Sequence, residues 1–232
     1  MTTALQICNL ALGTLGQNPD VTDITGGTDT SVSATWCQLF YPQAVAVILD
    51  AYAWSFATTT LALTPTTNNN PLWQYAYTPP SDFFGVTALV QQGFSADFQM
   101  PNSENFALEA GVIYSNIVDA ILLYTSNAAA VSPFPTTGFN PLFTQALVTL
   151  LASYLAGPLL KGDVGASAGQ KYYELYLQAL GAAVDSDAQY RKVRPQYVPS
   201  AVRARYQSGL VQPGAGGVGW ADLGPVGGNN VV

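Results

Sequence analysis

The chain has 232 residues, 49% of them hydrophobic and only 9% charged, with a net charge of −7 and no histidine. Soluble domains usually carry about a quarter charged residues, so much of the polar surface must come from Thr, Ser, Asn and Gln, with apolar surface left over for partners. Without histidine, Ser-His and Cys-His catalysis and histidine metal ligation are excluded. Cys8 and Cys37 are too few for a disulfide framework or a zinc site, and read as buried thiols.

In chain order, Ala4, Ile7, Cys8, Ala11, Leu12 and Leu15 recur at helical spacing and predict a helix over residues 3–16, with Gly16 as its stop. Residues 17–30 (QNPDVTDITGGTDT) read as an acidic Gly/Thr/Asp loop. Ser31 can cap a second helix running to about Tyr52, whose buried side is expected to hold Trp36, Leu39, Phe40, Val47 and Ile48. Pro42 lies inside it, which predicts a kink or a break.

From Thr58 the period changes to two. Candidate strands are residues 58–63, 73–78, 84–91, 94–99 and 111–125, the last either continuous or broken. Residues 140–160 and 166–191 then read as two long helices. The apolar run Leu147 to Leu160 is interrupted by Ser153, Gly157 and Pro158; no run reaches the ~20 residues of a bilayer span, so this one reads as a core helix. The N-terminus lacks the basic region of a signal peptide. Beyond Pro195 the composition turns to Gly, Pro, Val and Gln, the pattern of an extended tail. The predicted class is α+β: a four-helix-type bundle (1–57 and 138–190) with an inserted antiparallel β-region (58–137) and an extended C-terminal arm (191–232).

Charge is unevenly spread. Residues 1–160 hold nine carboxylates and no cation, whereas the remainder holds all seven cations against five carboxylates. An acidic body repels a phosphate backbone, which argues against nucleic-acid binding by that part. The cluster Arg191, Lys192, Arg194, Arg203 and Arg205 suits either phosphate or an acidic protein surface.

Catalytic motifs fail in turn. The run from Gly214 to Gly219 fits G-x-G-x-x-G, but it follows Pro213 in a low-complexity tail with no strand before it and no helix after it. Ser167 and Lys171 are ordinary neighbours on a helix surface. Glu104 and Glu109 have only their chemistry to suggest a carboxylate pair. No cofactor and no enzymatic activity are expected.

The apolar landmarks are more informative. They run from Ile7-Cys-Asn-Leu-Ala-Leu-Gly-Thr-Leu-Gly16, through Phe40-Tyr-Pro42 and Trp54-Ser-Phe-Ala57, to Pro71-Leu-Trp-Gln-Tyr-Ala-Tyr77 followed by Pro80-Ser-Asp82. They continue with Asn140-Pro-Leu-Phe143, Ala146, Leu150, Ala152, Leu155 and Pro158, then Tyr172, Tyr176, Ala179, Leu180 and Asp187-Ala188. In this order and spacing, residues 4–190 resemble the head-to-tail adaptors of tailed phages, the tail tubular protein A group. The family usually carries Arg or Lys around the second helix, where this chain has Gln43-Ala-Val45, so a ring contact made through that base is not expected here.

The resemblance implies a structural virion protein assembled in the host cytoplasm. It implies a homo-oligomeric ring of twelve copies between the portal and the tail or nozzle protein, through which DNA passes without specific binding and without a membrane. It also implies that the C-terminal arm contacts the portal, through Arg191, Lys192, Arg194, Tyr197, Arg203, Arg205, Tyr206 and Trp220. Trp54, Phe56, Trp73, Tyr75 and Tyr77 are expected at the junction of bundle and β-region, since large rings fix a chain where helix passes into strand. A tail-associated carbohydrate-binding module is the other class compatible with a Thr/Asn/aromatic-rich β-region.

Overall fold

The computed structural model describes residues 2–91 and 106–190. Helix α1 (Ala4–Thr14) starts where Thr3 and Gln6 form a capping box: Thr3 Oγ1 accepts the Gln6 N–H at 3.2 Å and Gln6 Oε1 accepts the Thr3 N–H at 3.0 Å. It ends as the glycine predicts. Gly16 takes φ +72°, and the N–H groups of Gly16 and Gln17 bond back to Gly13 and Leu12. The acidic loop is tied down by its own carboxylates. Asp23 accepts the N–H groups of Thr25, Gly27 and Thr28, and Asp29 those of Thr22 and Ser31.

Helix α2 (Val32–Ala51) begins at Ser31, whose Oγ accepts the Ala34 N–H at 3.1 Å. It runs through Pro42 without the break that residue suggested, because Tyr41, Ala44 and Val45 are anchored in the core on either side of it. Its buried face also differs from expectation. Ala34, Cys37, Tyr41, Ala44, Val45, Ile48 and Leu49 point inward, while Leu39 (58% exposed) and Val47 (38%) point outward. Counting 100° per residue, Leu39 and Val47 lie on the side opposite Tyr41, so only one set could face the core.

Helix α3 (Pro141–Leu160) is capped by Asn140, whose Oδ1 accepts the Phe143 N–H at 2.6 Å, with Pro141 at the first helical position. Helix α4 (Gly162–Tyr190) starts four residues earlier than its periodicity indicated. The glycines that hid its first turn bring it close to α3: a Cβ on Gly165 would lie 2.9 Å from the Ala156 carbonyl oxygen and 3.4 Å from Gly157 Cα. Helix α3 packs against α1, α2 and α4, and Phe143, Leu147, Leu150, Leu151 and Leu155 are all fully buried. From α4, Tyr176 meets them buried and Tyr172 and Leu180 half-buried, whereas Leu175 is turned outward. Both 20-residue helices α2 and α3 reach the length and apolarity of a bilayer span despite their interrupting residues; half of the α3 window is buried in the protein.

The β-region is antiparallel and forms two sheets. One has the order β1 (Thr58–Ala62), β7 (Ala120–Ser126), β4 (Phe83–Gln91); the other β2 (Thr64–Thr66), β3 (Tyr75–Thr78), β6 (Val112–Ser115), β5 (Phe106–Glu109). The candidate strand 111–125 divides into β6 and β7, with Asp119 at φ +49° in the turn between them. Strands β2 and β5 escaped the sequence reading, being three and four residues long, the former with Pro65 at its centre. The candidate strand 94–99 lies outside the described residues. The class is thus α+β with antiparallel sheets, and it has two cores. A helical core runs from Ala4 to Ala183, and a smaller one in the β-region holds Leu63, Tyr77, Leu89, Ile113, Ile117, Ala120, Leu122 and Tyr124.

Candidate functional site

The segment Tyr52-Ala-Trp-Ser-Phe-Ala57 carries the chain from α2 into β1, and it is built around Trp54. That ring is fully buried, and its Nε1 donates to the Ile48 carbonyl at 2.7 Å, which satisfies its one polar group in the last turn of α2. The Trp54 carbonyl accepts the N–H groups of Ala57 at 3.1 Å and Thr58 at 2.9 Å, and also the Thr58 hydroxyl at 2.7 Å. One residue therefore closes the helix behind it and opens the strand ahead of it.

Three other rings meet it directly. Tyr52 and Phe143 approach edge-on, with centroids 5.2 and 4.9 Å away, and Phe56 lies 6.1 Å away. Phe56 in turn meets Phe139 at 5.0 Å and Phe143 at 4.9 Å, and Phe139 meets Phe143 at 4.5 Å. These distances fall within the range where edge-to-face and offset contacts add to simple burial. Gly138, at φ +88°, passes so close that a Cβ there would lie 2.7 Å from Phe56 Cβ. Only glycine accepts both the conformation and the contact.

The corner is bolted from outside by a carboxylate. Asp187, near the end of α4 and 1% exposed, accepts the Ser55 N–H at 3.0 Å and the Ser55 hydroxyl at 2.5 Å. Sequence alone gave no sign of this, since Asp187 sits among Asp185, Ser186 and Gln189 on a helix end that reads as solvated. Phe139 was equally hidden, in a loop before its helix.

The five rings expected at one junction are divided by the structure. Trp54 and Phe56 belong to the helical core, and Tyr75 and Tyr77 to the β-core. Tyr77 is fully buried and donates its hydroxyl to the Ile117 carbonyl at 2.5 Å; burial raises its pKa above the ordinary tyrosine value. Trp73 is half-buried in the turn before β3, where its carbonyl accepts the Asn68 amide at 2.6 Å. The other expected contact set, Arg191, Lys192, Arg194, Tyr197, Arg203, Arg205, Tyr206 and Trp220, lies outside the described residues.

Two further features bear on function. Cys8 and Cys37 face each other in the helical core, free and buried. Their mutual hydrogen bond and burial push the Cys8 thiol far up, so it stays protonated at neutral pH. The outward side of α2, opposite its buried face, carries Val32 (67% exposed), Leu39, Val47 and the half-buried Trp36, stacked on Phe40 at 5.7 Å. Among the described residues no three His, Cys, Asp or Glu side chains gather as a metal site. The arrangement joins the helical core to the β-region through one closed corner, and leaves Val32, Leu39 and Val47 exposed on α2 beside Thr35, Gln43 and Asp50. In comparison with known proteins, the chain matches no protein-family model, and no curated protein is significantly similar to it in sequence.

Proposed function

We propose that this protein is a structural head-to-tail adaptor of a tailed-phage virion: a ring of identical copies, twelve in number, seated between the portal and the tail or nozzle protein. In this reading the helices form a four-helix-type bundle, the sheets form an insertion on it, and residues 191–232 form an extended arm that docks on the portal. The observation that carries the proposal is the outward face of α2. Val32, Leu39 and Val47 are exposed there, away from the helix's own core and among Thr35, Gln43 and Asp50, the mixture of aliphatic and polar side chains that suits a contact with another subunit. The rigid Trp54 corner, clamped by Asp187, supports it as the stiff joint of a load-bearing part. The acidic body supports it as a conduit wall, since a channel that conducts DNA must not hold it.

The test is to mix the purified protein with its portal and image the complex in negative stain. An adaptor adds one coaxial layer to the portal ring. A portal that stays bare at saturating protein concentration rejects the proposal.

A further inference from the structure

A ring of identical copies closes when each copy offers two different surfaces, one of which fits the other on its neighbour. The exposed side of α2 supplies one such surface, and α4 carries a second. Helix α4 buries Gly165, Tyr176 and Ala183 on the side toward α3. Away from that side, Ala166, Gln170, Tyr173, Leu177, Val184 and Ala188 recur at spacings of three, four and seven. At 100° per residue they gather within about 60° of arc, roughly a quarter-turn round from the buried face. Tyr173 is 47% exposed and Leu177 51%, Val184 is half-buried, and no charge interrupts the stripe.

The exposed side of α2 has the same kind of spacing. Val32, Leu39, Gln43 and Asp50 fall along one line of the helix, with Val47 beside them. That line runs about 27 Å, against about 33 Å for the stripe on α4. Helices that repeat at three and four residues pack ridge into groove along their length.

We propose that α4 of one copy packs antiparallel on the exposed side of α2 of the next. Charge sets the direction. With the two stripes centred on each other and antiparallel, Lys171 comes within a turn of Asp50 at the C-terminal end of α2, where a cation also suits the helix dipole. Asp185 then meets the N-terminal turn of α2, and Glu174 faces the uncharged Gln43. Laid parallel, the same stripes would set Asp185 against Asp50 and Lys171 against the α2 N-terminus, unfavourable at both ends. Lys171 stands beside the stripe, and its long stem lets the ammonium reach along it.

Area decides what this contact builds. A strip about 27 Å long and one helix diameter wide buries on the order of 300 Å² on each copy, well under the ~800 Å² per partner of a stable pair. A single such contact holds no dimer in dilute solution. In a closed ring every copy makes it twice while the portal gathers the copies together. The inference rests on the ring reading above and names the surface that covers α2.

The test measures assembly of the full chain on its portal over a concentration series. A Gln43→Cys/Leu177→Cys variant is also treated with a short bismaleimide, with and without portal; Cys8 and Cys37 are buried and stay out of that reaction. Lys171→Glu and Asp50→Lys should each raise the concentration for half-assembly by about threefold, and the two together should bring it back. Leu177→Asp should raise it tenfold or more without lowering the thermal midpoint, because Leu177 is exposed. On the portal, crosslinking should give a ladder of dimers, trimers and longer chains. A ring that forms equally well with Lys171→Glu and Leu177→Asp, or that does not crosslink, overturns the helix pairing and leaves the adaptor reading intact. A bare portal beside a ladder in concentrated free protein, shortened by Lys171→Glu, defeats the adaptor reading and leaves the pairing standing. Crosslinking that stops at dimers rejects the head-to-tail contact, and a double reversal that fails to recover assembly rejects its antiparallel direction.

Discussion

Ser55 and Asp187 show how much one buried carboxylate decides at this corner. Asp187→Ala removes the acceptor of the Ser55 backbone N–H and leaves that donor without its partner in a partly buried site. The expected loss is about 1–3 kcal/mol, read as a lowered denaturation midpoint; Ser55→Ala, which keeps the backbone bond, should lose less. The reverse order, or no change for either, would show that the clasp does not hold the corner. Asp23 and Asp29 belong to the same scale. Several N–H and hydroxyl donors hold both carboxyls below the ordinary carboxylate range. A depressed folded pKa means their contribution is complete above the unfolded value of ~3.9 and fades as pH falls through the folded one. The amides of Gly27 and Thr28 should therefore stay protected at about pH 4 and exchange freely only in stronger acid. Trp54 and Phe56 were legible as large rings at a change of period. Asp187 was not, because a buried acid in a polar helix end has the same letters around it as a solvated one.

At the scale of elements, the contact of α3 with α4 sets the helical core. Leu151 is fully buried there, so Leu151→Ala should cost ~2–5 kcal/mol, and an unchanged urea midpoint would remove α3 from the core. Gly165→Ala should be destabilising for a different reason. Its new Cβ meets the backbone of Ala156 and Gly157, and backbone cannot swing aside as a side chain can. Retained stability in that variant would mean that the two helices separate cheaply. The helices themselves were readable from caps and stops, with Thr3, Ser31 and Asn140 each starting one. The inward face of α2 was not readable, because a helix with large apolar residues on both sides offers two candidate faces and periodicity cannot rank them. Glycines at 162 and 165 likewise looked like a loop, when Gly165 is what the close contact with α3 requires and Gly162, at φ +59°, turns the chain between the two helices.

For the whole molecule, the imbalance of charge makes a clear forecast. With no cation in residues 1–160, a chain truncated after Tyr190 should show no tight, salt-dependent binding of duplex DNA. Strong binding that weakens steeply with salt would contradict the conduit reading. The alternation of helix, strand and helix along the sequence was enough to read the mixed class. The division into two sheets was not, since it depends on which short strands pair far apart in sequence, such as Thr58 with Thr125 and Tyr75 with Ser115.

The Ser55–Asp187 bond also closes a circuit, joining positions 132 residues apart with all seven strands of the described residues inside the loop. A chain leaving the ribosome has completed β1 to β7 well before position 187 emerges, so the sheets are free to pair while the corner stays open. The closing step then falls late in synthesis, after the sheets can pair. The last turns of α4 thus act as a latch, closing the corner between helix and strand after the β-region has formed.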